Sequence, residues 1–302
     1  PNNIDVIEET TGIYDFIVPR LKPLEAVSWL STYARPQGRT GSDMLFFETL
    51  NGFTFRSLQS MYETDSYGTY KFQPKNLDKS KTQTEDKLTT VIDYEIVKNH
   101  DILNEVSTGT FANQLISIDP LIRSYYVTNF DYGDYSKNAT TLNGNPPTNY
   151  LKNRLGDLTN QSYESVVKVA TSNKDEINVP YIKNKGGAGI AKDIAIETYI
   201  PYRTAQLGLS HYTILKIVVP GDNGLTAGTP IDFVLYSLDP GQDRTRNEDK
   251  FYSGKYLISA LRHTIQPPNT FETVLEVIKE SSPNSFSTIQ NDNQAIRTAA
   301  QS

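Results

Sequence analysis

The chain has 302 residues, enough for two ordinary domains or one large β-rich domain, with 37% apolar and 21% charged residues. It has no cysteine, which excludes disulfides, zinc–cysteine centres and thiol chemistry. Its formal charge of −6 comes with no basic block, which argues against phosphate-directed nucleic-acid binding, and no apolar run reaches membrane-spanning length, so no stable membrane insertion is expected.

Nineteen tyrosines and twelve phenylalanines stand against one tryptophan and two methionines. That bias favours strands and half-buried surfaces, where an amphipathic ring suits both sides. The chain opens on Pro1 rather than methionine and reads as processed or as a fragment.

In chain order, Ile13 to Val18 reads as a strand ended by Pro19. Leu24, Val27, Leu30 and Ala34 recur at helical spacing, with Pro23 in the first turn and Pro36 past the end. The spacing predicts a short helix burying one face, with Trp29 or Tyr33 at its margin. Met44 to Leu50 and Phe53 to Leu58 flank Asn51-Gly52, a strong hairpin signal whose turn calls for positive φ at both positions. Lys75 to Lys87 is polar and predicts an exposed loop.

Val91 to Val97, Gln114 to Ile118 and Tyr125 to Phe130 are strand or short-helix candidates. Asn138 to Asn149 contains Asn143-Gly144-Asn145-Pro146-Pro147 and predicts no regular structure. It opens an insertion running to about Lys185. A helical pattern then passes through Ile190, Ile194, Thr198 and Leu207, bent or broken at Pro201. Thr213 to Val219, Ile231 to Tyr236, Phe251 to Leu261 and the alternating Phe271, Thr273, Leu275 and Val277 predict four meandering strands that close or nearly close a barrel. The tail from Ser281 to Ser302 carries only Phe286, Ile289 and Ile296 as large apolar residues. It is expected to order only against another chain.

The fold class is therefore α+β and β-rich: a small antiparallel β-barrel plus an α/β domain with a helix and an aromatic hairpin. Residues 1–75 form the helix-plus-hairpin domain, and 76–137 with 207–280 form a split barrel. Residues 138–206 are an insertion with a Gly-rich hinge and a helix, and 281–302 a polar tail.

Chemistry-bearing residues do not converge. His100, His211 and His263 show no metal-ligand spacing, and Ser210-His211 is an adjacency rather than a triad. Gly186-Gly187-Ala188-Gly189-Ile190-Ala191-Lys192 lacks the spacing of a phosphate loop and is followed by Asp193 where Ser or Thr is needed. Asp239, Asp243, Glu248 and Asp249 alternate with Arg244, Arg246 and Lys250 and read as solvated charge rather than a calcium loop. Carboxylate pairs such as Asp131 and Asp134, near Tyr132 and Tyr135, have the residue types of glycan hydrolysis, but with 35 acidic residues such coincidences are expected. No catalytic, cofactor-binding or metal-binding residue is assigned, and no enzyme activity or cofactor is expected.

Three segments carry a resemblance. Lys22-Pro23-Leu24-Glu25-Ala26-Val27-Ser28-Trp29-Leu30, Gly41 to Glu48 and Gly52 to Leu58 resemble the central baseplate hub proteins of T-even-type contractile phages, where an equivalent helix precedes a glycine-led aromatic hairpin. Leu225 to Ile231 and Tyr256 to His263 are similar to the family's approaches to barrel strands. Type VI secretion spike proteins share that hub architecture.

The resemblance implies a tail-tube/hub-type barrel and a homotrimeric ring in the virion tail baseplate, joining the six-fold tail tube to the three-fold spike during genome ejection. It also implies a spike protein, a tail tube or tube-initiator protein and a tape measure protein as partners, with DNA passing through the channel without specific binding. Hubs of this family carry two related barrels. Only one is visible here, so the other is expected upstream of Pro1. The alternative reading is a tail-associated peptidoglycan hydrolase or glycan-binding protein, which needs convergent carboxylates or a tyrosine-lined groove.

Overall fold

The computed structural model describes residues 4–12, 17–72, 88–99, 101–119, 123–147, 166–171, 196–236, 248–268 and 270–284. The chain forms two compact units, one from residues 1–59, 102–139 and 157–209, the other from 60–101, 140–156 and 210–302. These bounds differ from the sequence-based ones. Residues 102–137 were expected in the split barrel but belong to the first unit, and the start of the expected insertion, 140–145, belongs to the second.

In the first unit, strand β1 (Ile4–Ile7), the antiparallel hairpin of β2 (Met44–Glu48) and β3 (Phe53–Ser57), and helix α1 (Pro23–Ser31) form one layer. The sheet order is β1-β3-β2, with β1 parallel to β3. Pro23 sits in the first turn of α1, and the Lys22 N–H donates to Glu25 Oε2 at 3.2 Å, half of a capping box. The expected buried face is incomplete. Only Ser31 is buried on α1, and Leu24 is 61% exposed.

The hairpin turn also differs from expectation. Thr49 and Gly52 exchange backbone hydrogen bonds at 2.8 and 3.2 Å, so Leu50 and Asn51 are the central residues. Positive φ falls on Gly52 (145°) and not on Asn51. The predicted strand Ile13 to Val18 falls largely outside the described residues, and Ile17 and Val18 are exposed coil.

A second sheet, ordered β8-β7-β9, is built from β7 (Ala112–Asp119), β8 (Ser124–Asp131) and β9 (Val167–Thr171). β7 and β8 pair antiparallel, and β9 joins β7 in parallel. Leu115 packs with Ile196 and Tyr199 on one face of this sheet. Those two residues belong to the 3-10 turn Ile196–Thr198 and the approach to a helix at Ile200–Ser210. Pro201 lies in the first turn of that helix, where it needs no N–H partner, so it begins the helix rather than bending it. The predicted part through Ile190 and Ile194 lies outside the described residues.

In the second unit a seven-stranded sheet has the order β5-β4-β11-β12-β13-β10-β6. Its members are β4 (Thr69–Phe72), β5 (Thr90–Val91), β6 (Asp93–Lys98), β10 (Thr213–Pro220), β11 (Pro230–Leu235), β12 (Gly254–Gln266) and β13 (Thr270–Lys279). The sheet curls as a half-barrel. One continuous segment touches both of its sides: Thr90–Val91 pairs with β4, while Asp93–Lys98 pairs with β10 and the Ile92 N–H donates to the Val218 carbonyl at 2.7 Å. Thirteen buried residues, among them Leu215, Ile217, Phe233, Tyr256 and Leu275, fill the interior.

The sheet departs from the expected antiparallel meander in two ways. The sheet is mixed, because β4 runs parallel to β11 and to β5. The last four strands are not a simple meander, because β10 pairs with β13 and not with β11. The protein is α+β and β-rich.

The loop after residue 138 has no regular structure, as expected, yet it is anchored. Asn143 Nδ2 donates to the carbonyls of Lys255 (2.9 Å) and Ser281 (3.1 Å), and its Oδ1 accepts from the Lys255 N–H at 2.8 Å. Ser282 exchanges backbone hydrogen bonds with Asn145. The first residues of the tail, Ser281 and Ser282, are thus buried against their own unit, contrary to the expectation that they order on another chain. Residues 285–302 lie outside the described residues.

Candidate functional site

The first unit contains a cavity of about 350 Å³ at the end of β8. Asp131 closes the strand in extended conformation and caps the short helix α4, given as Tyr132–Tyr135 after α2 (Leu58–Glu63) and α3 (Ile102–Ser107). Its Oδ1 accepts from the Gly133 N–H at 2.5 Å. That single turn brings Asp134, Tyr135 and Asn138 round beside Phe130, and the long helix α5 (Ile200–Ser210) adds Tyr202. Thr40 and Asn129 complete the lining.

The wall is aromatic. Tyr202 packs edge-on against Phe130, with ring centroids 5.0 Å apart, and against Tyr135 at 5.2 Å. Gln206 Nε2 donates to the Tyr135 hydroxyl at 2.7 Å, and burial pushes that hydroxyl's pKa well up. The rim is polar. Asp134 Oδ1 is paired with Lys137 Nζ at 2.7 Å, and Asn129 Oδ1 accepts from Gln114 Nε2 at 3.0 Å, so its amide hydrogens are the donors left over.

The structure therefore brings Asp131, Asp134 and Tyr135 of the sequence-based carboxylate candidate into one place, while Tyr132 is buried in contact with Phe111. Sequence reasoning did not find Tyr202, Thr40 or Asn129, which are distant in the chain. The other candidates stay apart. His211 Nδ1 shares a hydrogen bond with Ser210 Oγ (2.8 Å), and His263 Nδ1 one with Thr273 Oγ1 (3.0 Å). His100, the Gly186 to Lys192 segment, Asp239 and Asp243 fall outside the described residues. Asp249 accepts from the N–H groups of Phe251 and Tyr252 and so holds a turn, and Glu248 forms a bridge with Tyr236. Among the described residues no group of acidic and histidine side chains could hold a metal ion.

The second unit carries one unusual buried charge. Lys279 is 3% exposed, and its Nζ donates to the carbonyls of Phe251 (2.5 Å) and Ser253 (3.4 Å). It also lies 4.6 Å from the Tyr256 ring centroid. Burial lowers its pKa to about 7, against the opposing pull of Asp249 and Glu280. The signal was present in the sequence: the alternation Thr273, Leu275, Val277, continued by one step, puts Lys279 inside. Glu280 is buried as well, accepts from the Leu142 N–H at 2.5 Å, and has its pKa raised by that burial.

A third feature is a surface. The registers of the β8-β7-β9 sheet align Val127, Ile116 and Val169 across the three strands, flanked by Tyr125, Ile118 and Val167. All but Ile116 are at least 40% exposed. The face carrying Leu115 is packed, whereas among the described residues the opposite, apolar face is exposed.

Together these features define a β-rich α+β protein with a curled mixed sheet, an open apolar sheet face and a small aromatic cavity. No family model matches the chain, and no curated protein matches it. Among solved structures it is similar to a tail protein from Neisseria meningitidis MC58, with a TM-score of 0.38 and 9% sequence identity over 86% of this chain and 56% of that one. The chain spans little more than half the length of that protein.

Proposed function

We propose that the chain is a structural subunit of a phage tail, of the baseplate-hub type, acting through complementary surfaces rather than through catalysis. On this reading it sits in the virion's baseplate as a homotrimeric ring around the DNA channel, between tail tube and spike. The observation that carries the reading is the apolar face of the β8-β7-β9 sheet, which among the described residues is exposed at Tyr125, Val127, Val167 and Val169. Such a face in a chain of this charge is suited to burial in an assembly. The edge strand β1, where Ile4 and Ile7 are 66% and 62% exposed, has no strand on its outer side among the described residues and adds a free edge for the same purpose.

The experiment is light scattering of the intact chain, alone and with its spike partner, combined with labelling of the chain in imaged particles. A mass of three chains and label at the baseplate are expected. A strictly monomeric or dimeric protein that is absent from the tail overturns the reading.

A further inference from the structure

The geometry points to the cavity between the end of β8, α4 and α5 as a binding subsite for a neutral saccharide, a function beyond the assembly role proposed above. The cavity's volume, about 350 Å³, falls within the range of roughly 300–1,000 Å³ usual for small-molecule sites. Its wall and rim then narrow the chemistry.

The wall is the mutually packed trio of Phe130, Tyr135 and Tyr202. Phe130 is 4% exposed and backs the wall, so Tyr135 and Tyr202 offer the apolar surface on which the C–H face of a sugar ring can rest. The Gln206 bond to the Tyr135 hydroxyl holds the Tyr135 ring in place before any ligand arrives. The Tyr202 hydroxyl has no hydrogen-bond partner among the described residues and stands at the cavity as both donor and acceptor.

The rim pairs donors with acceptors. The Asn129 amide, the Asn138 side chain and the Thr40 hydroxyl supply donors, and the carboxylates of Asp131 and Asp134 supply acceptors. Sugar hydroxyls satisfy both kinds at once. A purely apolar ligand would strip water from these amides and carboxylates and leave them unpaired.

Charge removes the other candidates. An anionic ligand meets two carboxylates in a chain of net charge −6. A cationic side chain carries donors only and would leave the Asn129 and Asn138 amide donors of the rim without an acceptor. A neutral ligand rich in hydroxyl groups fits what remains.

The test is isothermal titration and saturation-transfer NMR of the intact chain with chitotriose, maltotriose and mannotriose, alongside trigalacturonate and N-acetylarginine amide. Saturable binding of at least one neutral trisaccharide is expected, with no binding of the acidic one. Tyr202→Ala is expected to weaken it about tenfold by removing a ring from the wall. Asn138→Ala changes only an exposed side chain, keeps the fold, and is expected to weaken binding about threefold by removing one hydrogen bond. No saturable binding to any of the three neutral sugars overturns the proposal. So does binding unchanged in both variants, or a preference for the arginine amide, which would reassign the cavity to a cationic side chain of a protein partner. Because the assembly state is read separately by light scattering, failure here leaves the tail reading standing.

Discussion

Lys279 Nζ lies 4.6 Å from the centroid of the Tyr256 ring, inside the curled sheet of the second unit, and donates to two backbone carbonyls there. This buried ammonium gives a stability profile with a definite sign. Its pKa is about 7 in the folded chain, against an ordinary 10.5. Between those values the unfolded chain holds the proton and the folded chain does not, so stability rises with pH across that window. Below pH 7 both states are protonated and the cost of burying the charge is fully present. A rise on the order of a few kcal/mol between pH 7 and 10 is expected. Urea unfolding of the wild type and of Lys279→Met at pH 6.5 and 9.5 checks this. The variant should lose most of the difference, and an equal slope in both proteins would exclude Lys279 as its source.

Gly208 of α5 lies directly against Thr110 and Glu105 in the first unit. A Cβ there would stand 2.4 Å from Thr110 Oγ1, and that hydroxyl is held by Glu105 at 2.9 Å. Gly208→Ala gains up to about 1 kcal/mol of helix propensity but incurs about 1–3 kcal/mol of overpacking. The clash should win, and calorimetry is expected to show a lower melting temperature. A stabilised variant would refute the close approach.

Asn143 ties an irregular loop to the sheet with three side-chain hydrogen bonds. Asn143→Ala should cost about 2–4 kcal/mol, because the Lys255 N–H and two carbonyls are left without their partner. Hydrogen exchange at the Lys255 amide should quicken in the variant. An unchanged exchange rate would mean that the loop is held by other contacts.

Assembly through the open sheet face predicts that Val127→Asp and Val169→Asp keep circular dichroism and melting behaviour while shifting the complex to monomer. Both side chains are at least half exposed, so a carboxylate there is solvated in the free chain and desolvated only in the interface. Light scattering at micromolar concentration reads the shift. Variants that stay trimeric would move the interface elsewhere.

The paired carboxylates near the cavity predict no hydrolysis. Asp131 caps α4 and Asp134 pairs with Lys137. Zymography on peptidoglycan should show no clearing by the wild type. Clearing that vanishes on changing both residues to Ala would establish an enzyme instead.

Local patterns in the sequence determined several of the elements. Apolar runs bounded by turn signals placed β10 and β11, alternation of period two placed β13, and Pro23 with Pro36 bounded the region of α1, because these signals lie within a few residues of the structure they specify. The hairpin was legible too, although its turn falls one residue earlier than Asn51-Gly52 suggests, since Thr49 and Gly52 form the closing pair. Strand neighbours were decided only in three dimensions. β10 lies beside β13 and β6, and the short β4 pairs parallel to β11, because sheet hydrogen bonds are satisfied between segments far apart in the chain. The cavity needed the same step. Asp131, Asp134 and Tyr135 stood out together in sequence, but Tyr202 reaches them only because α5 packs against β8 and α4. Packing of side chains from distant segments is set by the shape of the whole core, which no local window of residues contains.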